Sequence, residues 1–312
     1  MTQLAPVENE DDFRALLRLE SVIHADAGLR RFPAHHPRAA VDRWLFGRPE
    51  EVFRYAYLLT RGGEPIGYAM AYNLYPGEKK FALNLLPGCA EYAAEALRLI
   101  EGLTARGNKR VALYINNLDQ ALVRAAKKRG YRRPLKQARR QMGLDLSQYQ
   151  ETPVAWENET LARLTPDDFG DRARYSKMAT GRATDAARYE SFYRSEYYKA
   201  ARDYVIRAND GAYAGHLIWW IDAAARTASL ELAATVPEFR RRGIMRRAIL
   251  DGLNLLKAEG IQYAYVSTSA RNRPAQALYE GAGFAQLGKT YLYEKRLRGE
   301  SKSCANDMER TG

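Results

Sequence analysis

Five arginines crowd one glycine in the run Arg240-Arg241-Arg242-Gly243-Ile244-Met245-Arg246-Arg247. Such a set suits an anion. Glycine enters corners closed to other residues, a helix N-terminus leaves backbone amides unpaired, and guanidinium groups add charge around them. Arg241, Arg242, Gly243, Ile244, Met245 and Arg246 therefore read as a pyrophosphate cradle. A second set follows, Asn272-Arg273-Pro274-Ala275-Gln276-Ala277-Leu278-Tyr279-Glu280-Gly281-Ala282-Gly283-Phe284. Asn272 and Pro274 are helix-starting residues, and Gly283 is a helix-ending one.

The elements that must position these residues are legible on either side. Residues 228–236 alternate like a half-buried strand. Residues 243–259 carry Ile244, Ile249, Leu253 and Leu256 at helical spacing, which puts Gly243 at a strand-to-helix corner. Residues 261–267 read as another strand, 272–282 as a short helix, and Phe284 opens a final strand.

The two segments together resemble the GNAT superfamily of acyl-CoA N-acyltransferases. The family's R/Q-x-x-G-x-G/A signature falls on Arg240, Gly243 and Met245. Its N-x-x-A-x-x-L-Y-x-x-x-G-F signature falls on Asn272, Ala275, Leu278, Tyr279, Gly283 and Phe284. Met245 departs from the pattern, which has a small residue there. The resemblance implies acetyl-CoA as co-substrate, held between two splayed strands along Ala233, Ala234 and Thr235, with its pyrophosphate on the cradle and its arm passing Asn272. It also implies Tyr279 beside the sulfur. A phenol ionises near pH 10, above a thiol, and so can give its proton to a departing thiolate. Tyr279 is thus the expected general acid, the other reading being a tyrosine that fills a helix–sheet interface. Glu231, placed by alternation on the face of Ala233, is the candidate base or else a structural hydrogen-bond acceptor.

The chain also repeats itself. Gly130-Tyr131 precedes Gly283-Phe284 by 153 positions, and each pair follows a strand, one or two Asn and a short helix. Both halves offer an earlier hairpin, at 52–60 with 66–72 and at 204–207 with 213–220. Opening helices are expected near Asn9 and near Thr165-Pro166, and second helices at 39–46 and 185–199. The expected fold is α/β (α+β), two tandem GNAT-like domains, each a mixed central sheet flanked by helices. The boundaries are 1–147 for a degenerate copy, 157–298 for a catalytic one, a polar linker at 147–159, and a disordered tail at 299–312. In the first copy Pro87-Gly88-Cys89 stands where the arginines would be, and Ala126 stands in the place of Tyr279. The layout resembles mycothiol synthase and certain antibiotic-modifying acetyltransferases.

Composition narrows the rest. The chain has 312 residues, two cysteines, four histidines and a net charge of +12. Neither a disulfide framework nor a metal site is suggested, and no apolar run spans a membrane. A cytoplasmic enzyme is expected, monomer or homodimer, acting on a small-molecule amine. Tyr175, Tyr189, Tyr193, Tyr197 and Tyr198, with Asp185, Glu190 and Glu196, would suit a cationic acceptor or an ordinary amphipathic helix. A basic run from Arg124 to Arg140 has no acid within it. It reads first as a solvated face, and alternatively as the nucleic-acid or protein contact of a non-catalytic CoA-binding factor.

Overall fold

The computed structural model describes residues 1–26, 55–75, 78–105, 109–133, 138–180, 185–193, 198 and 202–297. The expected helix at 39–46 and tail at 299–312 lie outside these residues, as does most of 194–201.

The first half contains β1 (Thr2–Pro6), α1 (Glu10–Ala25), β2 (Ala56–Arg61), β3 (Glu64–Tyr75), β4 (Glu78–Leu85), α2 (Ala93–Ala105), β5 (Arg110–Asn116), α3 (Gln120–Lys128) and β6 (Ala138–Asp145). The second contains β7 (Glu159–Arg163), α4 (Phe169–Thr180), α5 (Ala186–Tyr193), β8 (Arg202–Ala208), β9 (Tyr213–Asp222), β10 (Thr227–Thr235), α6 (Ile244–Ala258), β11 (Tyr263–Ser269), α7 (Arg273–Glu280) and β12 (Ala285–Arg296). Within the described residues, the elements of both halves follow the expected order. β1 and β7, short edge strands of mixed polarity, carry too weak an alternation to stand out in the sequence.

The caps act as their residue types require. Asn9 accepts from the Asp12 amide at 3.0 Å to start α1. Thr165 and Asp168 form a reciprocal capping box, with Pro166 at the first helical position. The repeat is preserved in detail at the ends of α3 and α7. The Tyr131 amide bonds to the Ala126 carbonyl and the Phe284 amide to the Tyr279 carbonyl, both at 3.0 Å. Gly130 and Gly283 hold the left-handed turns between, at φ 83° and 98°.

Among the described residues the two halves share one twelve-stranded sheet, in the order β1-β2-β3-β4-β5-β12-β6-β11-β10-β9-β8-β7. The last strand of each half is therefore lent to the other. β6 runs antiparallel to β11 from Tyr263↔Asp145 to Ser269↔Arg139, and β12 runs antiparallel to β5 from Thr290↔Asn116 to Arg296↔Arg110. The segment between β6 and β7, expected to be a polar linker, is a strap along α6. Leu146 and Tyr149 are buried in the core beneath that helix. The Tyr149 hydroxyl donates to Asn254 at 3.0 Å, Lys257 donates to the Tyr149 carbonyl at 2.6 Å, and Trp156 donates to Asp251 at 3.3 Å.

The face of the second half's sheet under α6 buries Leu217, Trp219, Leu230, Ala264 and Val266 against Ile244, Met245, Ile249 and Leu253. Gly252 permits this approach, since a Cβ there would collide with the Trp219 indole. The opposite face buries Val205, Ile218 and Trp220 against Phe169, Ala173, Tyr189 and Tyr198 from the α4–α5 side. One core on each face fixes which side chains can reach the strand ends from behind and which from in front.

Candidate active site

Parallel pairing between β10 and β11 runs from Thr227↔Tyr263 to Leu230↔Val266 and stops there. Both strands continue, β10 to Thr235 and β11 to Ser269, so a gap opens between them. A bulge drives the divergence. On the β9 side Leu230 faces Trp219 and Ala233 faces Leu217, which sets both Glu231 and Leu232 against Ile218. Leu232 takes the left-handed conformation, φ 74°, a strained state for a branched side chain.

The bulge corrects the expected alternation. Ala233 packs into the core under α6, whereas Glu231 and Leu232 oppose Ile218, and Leu232 packs into the core on the α4–α5 face. Glu231 and Ala233 therefore do not share a face by simple period-two counting. Glu231 is half-buried and stands at the point where the strands part.

Main-chain directions along the gap follow from one bond. Val236 donates to Ala214 at 3.0 Å, so in the register Thr235↔Gly215, Ala234↔His216, Ala233↔Leu217 the groups of Ala234 face β9. Those of Ala233 and Thr235 face the gap. The Thr235 carbonyl accepts from Arg240 Nε at 3.2 Å. The amide and carbonyl of Ala233 remain turned toward the gap, a strand edge with no strand beside it among the described residues.

The corner at the end of β10 is a short turn, Pro237–Phe239, followed by Arg240–Gly243. Gly243 has φ 75° and caps α6 without a side-chain bond. A Cβ on it would meet nothing nearer than Arg247 Nη1 at 3.7 Å, so backbone conformation rather than crowding calls for glycine. Arg241 shares the left-handed conformation at φ 65°. The helical ladder starts with the Arg247 amide donating to the Gly243 carbonyl at 3.0 Å. The amides of Ile244, Met245 and Arg246 thus lie before the first helical bond, at the positive end of the helix dipole.

The Met245 side chain is buried in the core, turned away from these amides, so the departure from the family pattern places no bulk over the corner. Arg242 is held to the Glu238 carbonyl at 2.9 Å and Arg246 to the Gly281 carbonyl at 3.0 Å. Arg247 pairs with Glu159 at 2.5 Å. Arg241 is exposed and makes no side-chain bond to the described residues.

Tyr279 approaches from the α6–α7 face. It is 7 % exposed and sits edge-on to Phe284, with ring centroids 6.2 Å apart. Burial pushes its phenol up to about 12, against a smaller opposing pull from the Arg139 guanidinium. Asn272 is engaged as the cap of α7, its Oδ1 accepting from the Ala275 amide at 3.2 Å. This accounts for its place in the motif without a ligand, and the residue is otherwise exposed.

The described tyrosines of the expected acceptor wall are mostly packed into the protein or against neighbouring aromatic rings. Tyr189 and Tyr198 are buried. Tyr175 stacks on Tyr213 at 4.6 Å, and Tyr193 sits 5.4 Å from Phe169. Tyr197 and Glu196 lie outside the described residues. Behind the tyrosines is a polar cluster with no period or motif to announce it. Arg172 pairs with Asp203 at 3.1 Å, both 1 % exposed, and the Tyr213 hydroxyl meets His216 Nδ1 at 2.9 Å. Burial, with Arg172 nearby, holds His216 well below the usual imidazole range.

The basic run is partly committed to the fold. Arg129 grips Glu101 with two bonds, at 2.9 and 2.7 Å. Arg140 pairs with Glu280 at 2.9 Å, Arg133 lies 4.3 Å over the Tyr291 ring, and Arg139 bonds to Ser267. Among the described residues no cluster of His, Cys, Asp and Glu could hold a metal, and no helix is long and apolar enough to cross a membrane.

Residues 172–284 match the model of the acetyltransferase (GNAT) family. The matched residues lie within the second half and include both Gly243 and Tyr279. Across nearly its whole length the fold is that of tandem GNAT proteins. A tandem GNAT protein from the clavulanic acid biosynthesis pathway superposes with a TM-score of 0.67 at 15% identity, covering 95% of this chain and 98% of that one. A GCN5-related N-acetyltransferase from Sphaerobacter thermophilus gives 0.61 at 19% identity, over 95% and 96% of the two chains. A GNAT-family acetyltransferase from Colwellia psychrerythraea gives 0.63 at 12% identity, over 94% and 100%. No curated protein matches the chain significantly.

Proposed function

We propose that the second half transfers the acetyl group of acetyl-CoA to the primary amine of a small polar molecule, in one direct attack. The observation that carries this reading is the continuous path from the unpaired edge at Ala233, along the gap, to the unbonded amides of Ile244, Met245 and Arg246. An extended amide-bearing arm fits the first part and a diphosphate the second. Ala233, Thr235, Arg241, Arg242, Gly243, Ile244, Met245 and Arg246 would hold the co-substrate. Ala234 supports that strand from the β9 side, and Asn272 borders the far edge.

In the reaction the amine lone pair forms the C–N bond at the thioester carbon, and collapse of the adduct breaks the C–S bond with its electron pair leaving on sulfur. Tyr279, protonated throughout the physiological range because burial raises its pKa, supplies the proton that makes the thiol. Glu231, beside the bulge, takes the proton lost by the amine, directly or through water. The commitment of Arg129, Arg133, Arg139 and Arg140 to intramolecular partners counts against a nucleic-acid role for the basic run.

The test is thiol release from acetyl-CoA with a panel of small primary amines, alongside calorimetric titration with CoA. Binding with amine-dependent thiol release is expected. A folded chain that takes up no CoA ends the proposal.

A further inference from the structure

The strap between β6 and β7 follows one stripe of α6. Arg247, Asp251 and Asn254 recur at i, i+4 and i+7, so their side chains share a face of the helix. Asn254 Nδ2 donates to the Thr152 carbonyl at 2.9 Å, Asp251 accepts from Trp156 Nε1 at 3.3 Å, and the Arg247 guanidinium lies 5.3 Å over the Trp156 ring. The strap therefore ends against the first turn of α6, next to the corner at Gly243.

Arg247 joins the two. Its Nη2 donates to Glu159 Oε2 at 2.5 Å, and Glu159, the first residue of β7, is buried. Its Nη1 donates to the Arg242 carbonyl at 3.4 Å, while its own amide closes the first helical bond on the Gly243 carbonyl at 3.0 Å. The side chain thus folds back over the turn that precedes it, as helical side chains do. A trans peptide sets its N–H opposite its C=O. With the Arg242 carbonyl drawn toward Arg247, the Gly243 amide points the other way. Were that peptide free to turn over, a carbonyl oxygen would stand where the corner now offers an amide, and an anion would be repelled. Of the five arginines at the corner, Arg247 is the one paired with a carboxylate among the described residues. Its charge is spent on that pair.

Building on the co-substrate site proposed above, we infer that Arg247 is a positioning residue for the cradle and that the strap, through Trp156 and Glu159, holds it in place. Arg247 does not touch the diphosphate. It fixes the Arg242–Gly243 peptide, so that the corner keeps its amides toward the anion before the anion arrives. The segment that joins the halves would then belong to the co-substrate site and not be a tether alone.

The test uses the full chain with Arg247→Met, Arg247→Lys, Glu159→Ala and Trp156→Leu, read by calorimetric titration with CoA beside thermal melts. Arg247→Met and Glu159→Ala should each weaken CoA binding about tenfold, and the double variant no further than the weaker single, because one strut is lost in all three. Arg247→Lys should weaken it too, since an ammonium lacks the fork that reaches Glu159 and Arg242 together. Trp156→Leu should give a smaller loss in the same direction, and it supplies the comparison if Arg247→Met does not fold. Full CoA affinity in Arg247→Met, whatever its Tm, would overturn the inference. So would tighter binding in Glu159→Ala or wild-type affinity in Arg247→Lys, since either makes Arg247 a direct partner of the anion. If wild type itself takes up no CoA, it is the co-substrate reading that has failed.

Discussion

In both halves a middle strand leaves its parallel neighbour before turning into a helix. β4 parts from β5 after Ala82 and Tyr114, as β10 parts from β11 after Leu230 and Val266. What closes the gap differs. In the first half the register of β3 with β4 runs unbroken from Gly67↔Leu85 to Tyr72↔Lys80, without a bulge where the strands part. The following turn is Leu86-Pro87-Gly88-Cys89 without an arginine. There the Cys89 amide is spent on the Leu86 carbonyl at 3.0 Å and the Tyr92 amide on the Cys89 carbonyl at 3.1 Å. Cys89 and Tyr92 lean on the local apolar core. The gap is thus a property of the topology, and the proposed anion capture a property of the few residues that end it.

The sharpest way to break this comparison is at the two glycines. Gly243→Val puts a β-branched residue at φ 75° and should weaken CoA binding at least about a hundredfold, since strain and the displaced amides act together. Gly88→Ala, also at a positive φ of 81°, should leave binding unchanged and affect stability alone. Calorimetry should give one CoA per chain, and a second equivalent would show that the first cradle works after all.

Next come the two ends of the repeat. Tyr279→Phe should lower kcat about a hundredfold or more with little change in acetyl-CoA KM, and Ala126→Tyr should create no activity. A folded Tyr279→Phe enzyme with full kcat removes the phenol from the mechanism.

A smaller effect separates the halves by pH. His216 has a depressed pKa in the folded state, so its contribution to stability is complete above its unfolded value of about 6.5 and is lost as pH falls below it. Lowering pH from about 7 to about 5 should therefore reduce the unfolding free energy of wild type more than that of His216→Gln, by up to about 1.4 kcal/mol per pH unit, with a correspondingly larger drop in Tm. Parallel melting curves would refute the assignment.

The smallest expected effect is at Arg129, whose pair with Glu101 also includes Lys295 at 2.8 Å. Arg129→Ala should cost about 1 kcal/mol in thermal melts, with CoA binding and kcat untouched. Loss of salt-sensitive RNA retention in this variant would revive the nucleic-acid reading.

Most of the fold was legible because its signals are local. Alternation marked β10 and β11, Asn9 and Thr165 marked helix starts, and the spacing of Gly130 and Gly283 exposed the duplication. The corner at Gly243 was legible for the same reason, being one continuous run of chain. Other features depend on relations between distant residues. The bulge at Glu231-Leu232 breaks a period that nothing in the local sequence interrupts. The burial of Met245 depends on the rotation of α6 over the sheet. The ion pairs inside the basic run need Glu101 and Glu280, far away in the chain. Arg139 stood in the sequence as one arginine among many, and only the pairing of β6 with β11 brings it to Ser267.

The exchanged strands give the molecule the topology of a swapped dimer written into one polypeptide. A chain cut between β6 and β7 would still be held by the ladders of β6 on β11 and of β12 on β5. A second half synthesised alone lacks the partner of β11 along Tyr263–Ser269. That bare edge invites another copy to fill it, so the duplication keeps within one chain an assembly step that would otherwise depend on concentration.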